Sequence, residues 1–361
     1  MMQFEVTASQ LNIRKVIPMS FEDKSSVVGK VFRGFRFQAI EVPIVQIPNP
    51  SLGRWYKDKD GFFYWGQAVA PSPIVSTGIP ETNYNALIRD IPAEWRMAGG
   101  RNIHVAILDT AFIIHRDLKN NIQQTFNAVD NSTDVTPVGN DNVDHGNLVA
   151  GMVASNSTMT EGIIGMAPQC KVSLIKISNN GNIEMRNVLN GLRFALDKTE
   201  AQIINLSFAI DESEYLPFQQ EMVALIESGR EKGVLVIASA GDNSGLLSAR
   251  ENLLMPAHEE SCISIGTINS AFIKAHPNAI YHSRLNYVIP NQILKSCSGS
   301  TNAYSTIRNS SMAAAVLSGT AALALSHHVD ATGFDARIER LNAPFNTVSA
   351  NPDLNFSIYK L

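Results

Sequence analysis

The chain has 361 residues, of which 45% are hydrophobic and 17% charged, and its formal net charge is −4. That composition describes a globular protein with room for one sizeable core and a smaller second unit, and it excludes the disordered and fibrous classes. The acidic balance, with no basic run, argues against a nucleic-acid binder, and no apolar stretch reaches the length of a membrane span.

Three cysteines, Cys170, Cys262 and Cys297, are odd in number, widely spaced and outside any Cys-x-x-Cys. Reduced, buried thiols are expected, not a disulfide framework or a zinc site. The first ten residues lack a basic segment followed by an apolar one, so the expected location is the cytoplasm. The alternative is a secreted or periplasmic protein from which a leader has been removed.

Residues 1–70 read as short strands broken by Gly, Pro and Asp turns. Val27–Ile40 alternates well enough for two half-buried strands around a turn at Gly34. Trp55–Gly66 reads as a hairpin closed by Asp60-Gly61, with aromatic residues on both arms. Trp55, Tyr64 and Trp65 could face a peptide ligand; the stronger expectation is that they fill a small core. Residues 71–85, rich in proline, read as a stiff linker.

From about residue 86 the pattern changes. Strand candidates at His104–Leu108, Val172–Ile177, Ile203–Ser207, Val234–Ala238 and Cys262–Gly266 are short and nearly continuous in Val, Ile and Leu. Such runs mark strands covered on both faces. Helical periodicity is clearest at Ile183–Lys198 and Phe218–Lys232. The expected fold is therefore α/β, a mostly parallel central sheet with helices on both faces and its site at the carboxyl ends of the strands.

Three polar residues then fall at element ends. Asp109 follows the first strand, His145 opens a helix lined with small residues, and Ser311 sits at the mouth of an apolar helix running through Leu325. Each has a bland reading as a cap or turn residue. Together they supply the nucleophile, the base and the base-orienting carboxylate that acyl transfer requires.

The segments around them are more specific. Val105-Ala106-Ile107-Leu108-Asp109-Thr110 with His115-Arg116-Asp117-Leu118, then Asp144-His145-Gly146-Asn147-Leu148-Val149-Ala150-Gly151, then Asn309-Ser310-Ser311-Met312-Ala313 resemble the three catalytic motifs of the subtilisin-like serine proteases, in the family's order. Gly165-Met166-Ala167-Pro168 and Ile203–Phe208 resemble two further segments, and the likeness covers residues 86–330. It implies a serine endopeptidase with Asp109, His145 and Ser311 as its triad and a polypeptide as its substrate. Ser207, Phe208 and Ala209 would hold an extended substrate as an added strand. Ala238, Ser239, Ala240 and Gly241 would form the other wall of the specificity pocket. Residues 1–70 resemble a bacterial SH3-like barrel, which implies a peptide or cell-wall ligand there. Residues 331–361 are expected to pack on the protease domain as a tail.

Four departures support the alternative of a catalytically impaired peptide-binding or scaffold protein. Asn309-Ser310 replaces the usual Gly-Thr, a proline after the serine is missing, and Asn147-Leu148 replaces Thr-His. Fourth, Asp242-Asn243 stands where the family places its oxyanion-binding asparagine, so that either Asp242 or Asn243 fills that place. The family requires no cofactor. Calcium is an optional ion, with Asp141, Asn142 and Asp144 as candidate oxygen ligands; the same residues equally describe a polar loop. Residues 1–85 do not resemble a chaperone-like propeptide, so no obligatory self-cleavage near residues 80–100 is expected.

Overall fold

The computed structural model describes residues 2–32, 36–58, 61, 63–71, 91–159, 162–242, 254–268, 284–290, 293–344, 346–349 and 357–360. The chain divides into two units, Met1–Gly78 and Ile79–Leu361.

The first unit contains β1 (Met2–Val6), β2 (Gln10–Arg14), β3 (Val27–Phe32), β4 (Arg36–Glu41), β5 (Trp55–Asp58), β6 (Phe63–Trp65) and β7 (Val69–Pro71). They form one antiparallel sheet in the order β3-β2-β6-β5-β4-β1-β7. The expected hairpin of β5 and β6 is present, with Trp55 opposite Trp65 and Tyr56 opposite Tyr64. Around Gly34 the two strands exist but part company: β3 pairs with β2, and β4 with β1 and β5. Gly34 itself and the 71–85 linker beyond Pro71 lie outside the described residues. An SH3-like barrel is not shown, since β3 and β7 stand at the two ends of the sheet. Two of the three aromatic residues fill the core, as expected, while Trp65 is only partly buried. Trp55 is 1% and Tyr64 3% exposed, and Tyr64 donates its hydroxyl to Asp58 (2.8 Å). A sheet this small has few apolar side chains to bury, so large rings go to its core.

The second unit starts with α1 (Ala93–Ala98), β8 (His104–Asp109), β9 (Ile122–Asn127), α2 (His145–Ala154) and β10 (Lys171–Lys176). A small hairpin, β11 (Ser178–Asn179) and β12 (Asn182–Ile183), leads to α3 (Met185–Lys198) and β13 (Ile203–Leu206). Then come α4 (Glu212–Tyr215), α5 (Gln219–Glu231), β14 (Leu235–Ser239), β15 (Ile263–Ile268), β16 (Tyr287–Pro290), and a hairpin of β17 (Leu294–Cys297) and β18 (Tyr304–Ile307). The chain closes with α6 (Asn309–His327), α7 (Phe334–Asn342), β19 (Asn346–Ser349) and β20 (Ser357–Lys360).

The nine-stranded central sheet runs β19-β20-β16-β15-β14-β13-β8-β10-β9. All neighbours are parallel except β19 and β20. Alternation along β8 feeds two cores. Val105 and Ile107 pack with Val149 of α2 and Leu317 of α6, while Ala106 and Leu108 pack with Val188 of α3 and Ile226 of α5. Helix α6 carries small and apolar residues on every face, and Met312–Leu325 are all buried. That is why no polar stripe marks it in the sequence.

The tail does more than lie on the surface. Leu341 of α7 is fully buried, and β20 extends the central sheet beside β16. Residues 345, 350–356 and 361 of the tail lie outside the described residues.

Candidate active site

Asp109 closes β8 at its carboxyl end and is 1% exposed. Its Oδ1 accepts the Thr110 N–H (2.7 Å) and faces His145 Nδ1 (2.7 Å). A carboxylate only accepts, so Nδ1 carries the proton and Nε2 is left as the basic nitrogen. Burial by itself would lower the pKa of His145. The charge of Asp109 and the hydrogen bond to it together outweigh that, and the net shift is upward from the ordinary histidine value.

His145 is the first residue of α2, and its side chain is 25% exposed. The Asn142 side chain caps this helix by accepting the N–H groups of Asp144 (3.1 Å) and His145 (3.2 Å). Two neighbours fit α2 against the loop after Asp109. At Gly146 a Cβ would collide with the Ala111 carbonyl oxygen, so only glycine allows this approach. Asn147, 1% exposed, grips a whole backbone residue: its Oδ1 accepts the Ile113 N–H (2.8 Å) and its Nδ2 donates to the Ile113 carbonyl (2.7 Å). Read in the sequence as a departure, Asn147 turns out to be a clamp. The one signal for it was a polar residue inside an otherwise apolar helix.

Ser311 lies in the first turn of α6 and is partly exposed. Asn309 opens the helix at φ 71°, a left-handed conformation that glycine and asparagine tolerate best. This accounts physically for Asn309 where glycine is usual. Sheet register then places the serine. Leu206 of β13 lies opposite Leu108 of β8, so Ser207 follows at the level of Asp109. Ser207 is bound to Ser311 twice. Its carbonyl accepts the Ser311 hydroxyl (3.0 Å), and its own hydroxyl donates to the Ser311 carbonyl (3.2 Å). In this structure the Ser311 hydroxyl thus points to Ser207, not to His145.

The two candidate substrate walls adjoin because β13 and β14 are neighbours. Ser239 donates to the Phe208 carbonyl (3.3 Å). Ala209 is exposed, whereas Ser207, Phe208 and Ala238–Gly241 are buried. Asp242 accepts the Ser310 N–H (3.2 Å) and the Ser310 hydroxyl (2.8 Å), so its carboxylate braces the start of α6 beside Ser311. Asn243 lies outside the described residues.

The candidate calcium ligands do not fit an ion. Asp141 is buried and holds Lys176 Nζ at 2.9 Å, while its oxygens also accept from Val138 N–H, Ser178 hydroxyl and Gly181 N–H. Asn142 is spent on the helix cap, and Asp144 accepts the Gly299 N–H (2.6 Å). An ammonium already stands where a cation would sit. A second cluster, His115, Asp117 and Cys297, brings three buried ligand atoms within 4.8 Å of one another. Yet His115 Nδ1 accepts the Asp117 N–H (3.1 Å) and its other nitrogen bonds the Ala303 carbonyl (3.0 Å), leaving no ring nitrogen for a metal.

Two grooves of about 530 and 450 Å³ lie elsewhere, lined by residues such as His104 and Lys171 or Phe126 and Phe194. Neither includes any of the residues above.

Comparison with known proteins agrees with this geometry. Residues 100–340 match the model of the subtilase family, Peptidase_S8. The "Major intracellular serine protease" of Bacillus subtilis (strain 168) is 29% identical over 232 residues, covering 63% of this chain and 70% of that one. Subtilisin DY of Bacillus licheniformis is 28% identical over 233 residues, covering 63% and 78%. A crystal structure of a cold-adapted subtilisin-like serine proteinase superposes with a TM-score of 0.56 at 19% identity, over 73% of this chain and 89% of that one, a likeness of fold. With the family model spanning well over half of its length, the chain belongs to the subtilase family and is thereby a serine-type endopeptidase.

Proposed function

We propose that this chain hydrolyses peptide bonds in polypeptide substrates through an acyl-enzyme, with Ser311 as nucleophile, His145 as general base and then general acid, and Asp109 as the orienting carboxylate. The observation that carries this reading is the 2.7 Å bond from His145 Nδ1 to Asp109 at the carboxyl end of β8. It fixes the tautomer, and Ser311, in the first turn of α6, is hydrogen-bonded to Ser207, which follows the adjoining strand β13. Rotation of Ser311 about its Cα–Cβ bond releases the Ser207 carbonyl and turns the hydroxyl to His145 Nε2. As Ser311 attacks, its proton passes to Nε2, and the imidazolium formed is stabilised by Asp109. His145 then returns the proton to the leaving amine. Water repeats the cycle on the ester.

Asp242 supports a division of labour at the oxyanion. Its carboxylate is engaged by Ser310, and at about 3 Å from an oxyanion it would repel by roughly 5 kcal/mol at an effective dielectric near 20. We therefore assign the donating amide to Asn243 and the bracing of α6 to Asp242. The substrate lies extended along Ser207–Ala209, with Ala238–Gly241 as the second wall. A cytoplasmic place of action agrees with three free, buried cysteines and with the name of the Bacillus subtilis relative.

None of the departures from the family removes a reacting group, which is why the impaired-scaffold reading is not preferred. The test is intact mass after a fluorophosphonate probe, on wild type and on Ser311→Ala. One adduct on wild type alone is expected. Absence of an adduct on the folded wild-type protein would overturn the assignment.

A further inference from the structure

Lys176 ends β10, directly after Leu174 and Ile175, and it is 2% exposed. An ammonium at that depth requires partners, and two are present. Nζ donates to Asp141 Oδ2 (2.9 Å) and to the Thr136 carbonyl (2.6 Å). Asp141 in turn accepts the Val138 N–H (2.9 Å), the Ser178 hydroxyl (2.7 Å) and the Gly181 N–H (2.8 Å).

The position of this pair matters more than its strength. In the register of β10 with β8, Lys176 is the partner of Asp109, and the next residue's N–H, from Ile177, donates to the Asp109 carbonyl (3.0 Å). Asp141 lies four residues before His145 and is followed by Asn142, which caps α2. One side of the pair thus belongs to the strand paired with the one that ends in Asp109, and the other to the segment that delivers His145.

We propose that Lys176 and Asp141 are positioning residues that set the Asp109–His145 contact, an internal ammonium doing for this loop what a bound cation would do. This rests on the triad reading above. The pair touches no substrate; it acts through the carboxylate and the imidazole. Its loss loosens a contact on which both the basicity and the aim of His145 depend, and misplacement by about 1 Å costs roughly 100-fold in rate.

The decisive variant is Lys176→Met combined with Asp141→Leu, which removes both charges and keeps the volume, an exchange that buried ion pairs often tolerate. Three readouts are taken on the full chain: the thermal midpoint, kcat and KM on a peptide substrate, and the pKa of His145 by NMR on 13C-labelled histidine. We expect a midpoint near wild type, kcat about 10- to 100-fold lower with KM little changed, and a His145 pKa lower than in wild type. A wild-type kcat and His145 pKa in the double variant would overturn the proposal and leave the pair a stabilising contact only. Should that variant not fold, Asp141→Asn decides in the same way, since it keeps the oxygen acceptor and removes the charge. An inactive wild type with a shifted variant pKa would sink the triad reading while sustaining the positioning; an active wild type with an unshifted variant would do the reverse.

Discussion

Strand β8 begins with one histidine and ends beside another, and the two have opposite characters. At the amino end, His104 Nε2 lies 2.8 Å from the Ser173 hydroxyl. Burial lowers its pKa, with the charge of Glu200 opposing. At the carboxyl end, His145 is bonded to Asp109 and its pKa is raised. The first pair looks more like a reacting dyad, since histidine and serine already touch. Yet Ser173 is 0% exposed, on a strand covered by helices, and among the described residues the hydrogen bond found for the His104 ring is to Ser173, not to a carboxylate. A His–Ser contact is therefore not a catalytic device in itself. What makes one is a carboxylate that fixes the tautomer and a hydroxyl that a substrate can reach.

The largest expected effect separates the two ends outright. His145→Ala should lower kcat by about 10⁶-fold, the order known for the catalytic histidine of subtilisin, a member of the same family. His104→Gln, which can still bond Ser173, should leave kcat/KM near wild type; an equal loss in both would erase the distinction. A smaller effect sharpens what the carboxyl end has besides the proposed triad. Asn243→Ala should slow turnover by about 10²–10³-fold, again the figure known from subtilisin, as expected for loss of an oxyanion donor. Asp242→Asn should act mainly on the start of α6 and lower the thermal midpoint. If Asp242→Asn gave the larger loss of turnover, the two roles assigned here would be exchanged.

The smallest effect is a matter of sign. His145, with its folded pKa raised, contributes stability that is fully present below about pH 6.5 and is lost as pH rises through the folded value. His104, with its folded pKa lowered, costs stability as pH falls from about 6.5 through the folded value. Thermal midpoints between pH 5 and 8 should therefore shift oppositely. His145→Ala loses most relative to wild type at acid pH, whereas His104→Gln gains most there. Activity runs the other way from the His145 stability term, because the base must be neutral, and its acid limb should lie above the ordinary histidine value. Parallel shifts in the two variants would contradict the opposite electrostatics described for the two ends.

Much of this was legible in the chain. The β-branched runs marked β8, β10, β13, β14 and β15 within a residue or two, because strands buried on both faces need continuous apolar character. The apolar period of α3 set its ends nearly to the residue. Polar residues at strand and helix ends, with the motifs around them, brought out Asp109, His145 and Ser311. Other elements left no such trace. β9, with the sequence Ile-Gln-Gln-Thr-Phe-Asn, is an edge strand half open to solvent, so it needs no apolar run. The seven-stranded sheet of the first unit pairs β4 with β1 and β5 across the chain, and local pattern carries no record of such partners.

By itself, then, the sequence determined the inner strands β8, β10, β13, β14 and β15 and the helices α3, α5 and α6, and which residue types could carry acyl transfer. Those follow from local period, end position and side-chain chemistry. The tertiary structure alone decided that Asn147 clamps Ile113, that Asp141 holds an ammonium instead of calcium, that Asp242 braces Ser310, and that Ser311 rests on Ser207. Each of these joins residues far apart in the chain, and a polar side chain's role is settled by the partner it meets once water is excluded.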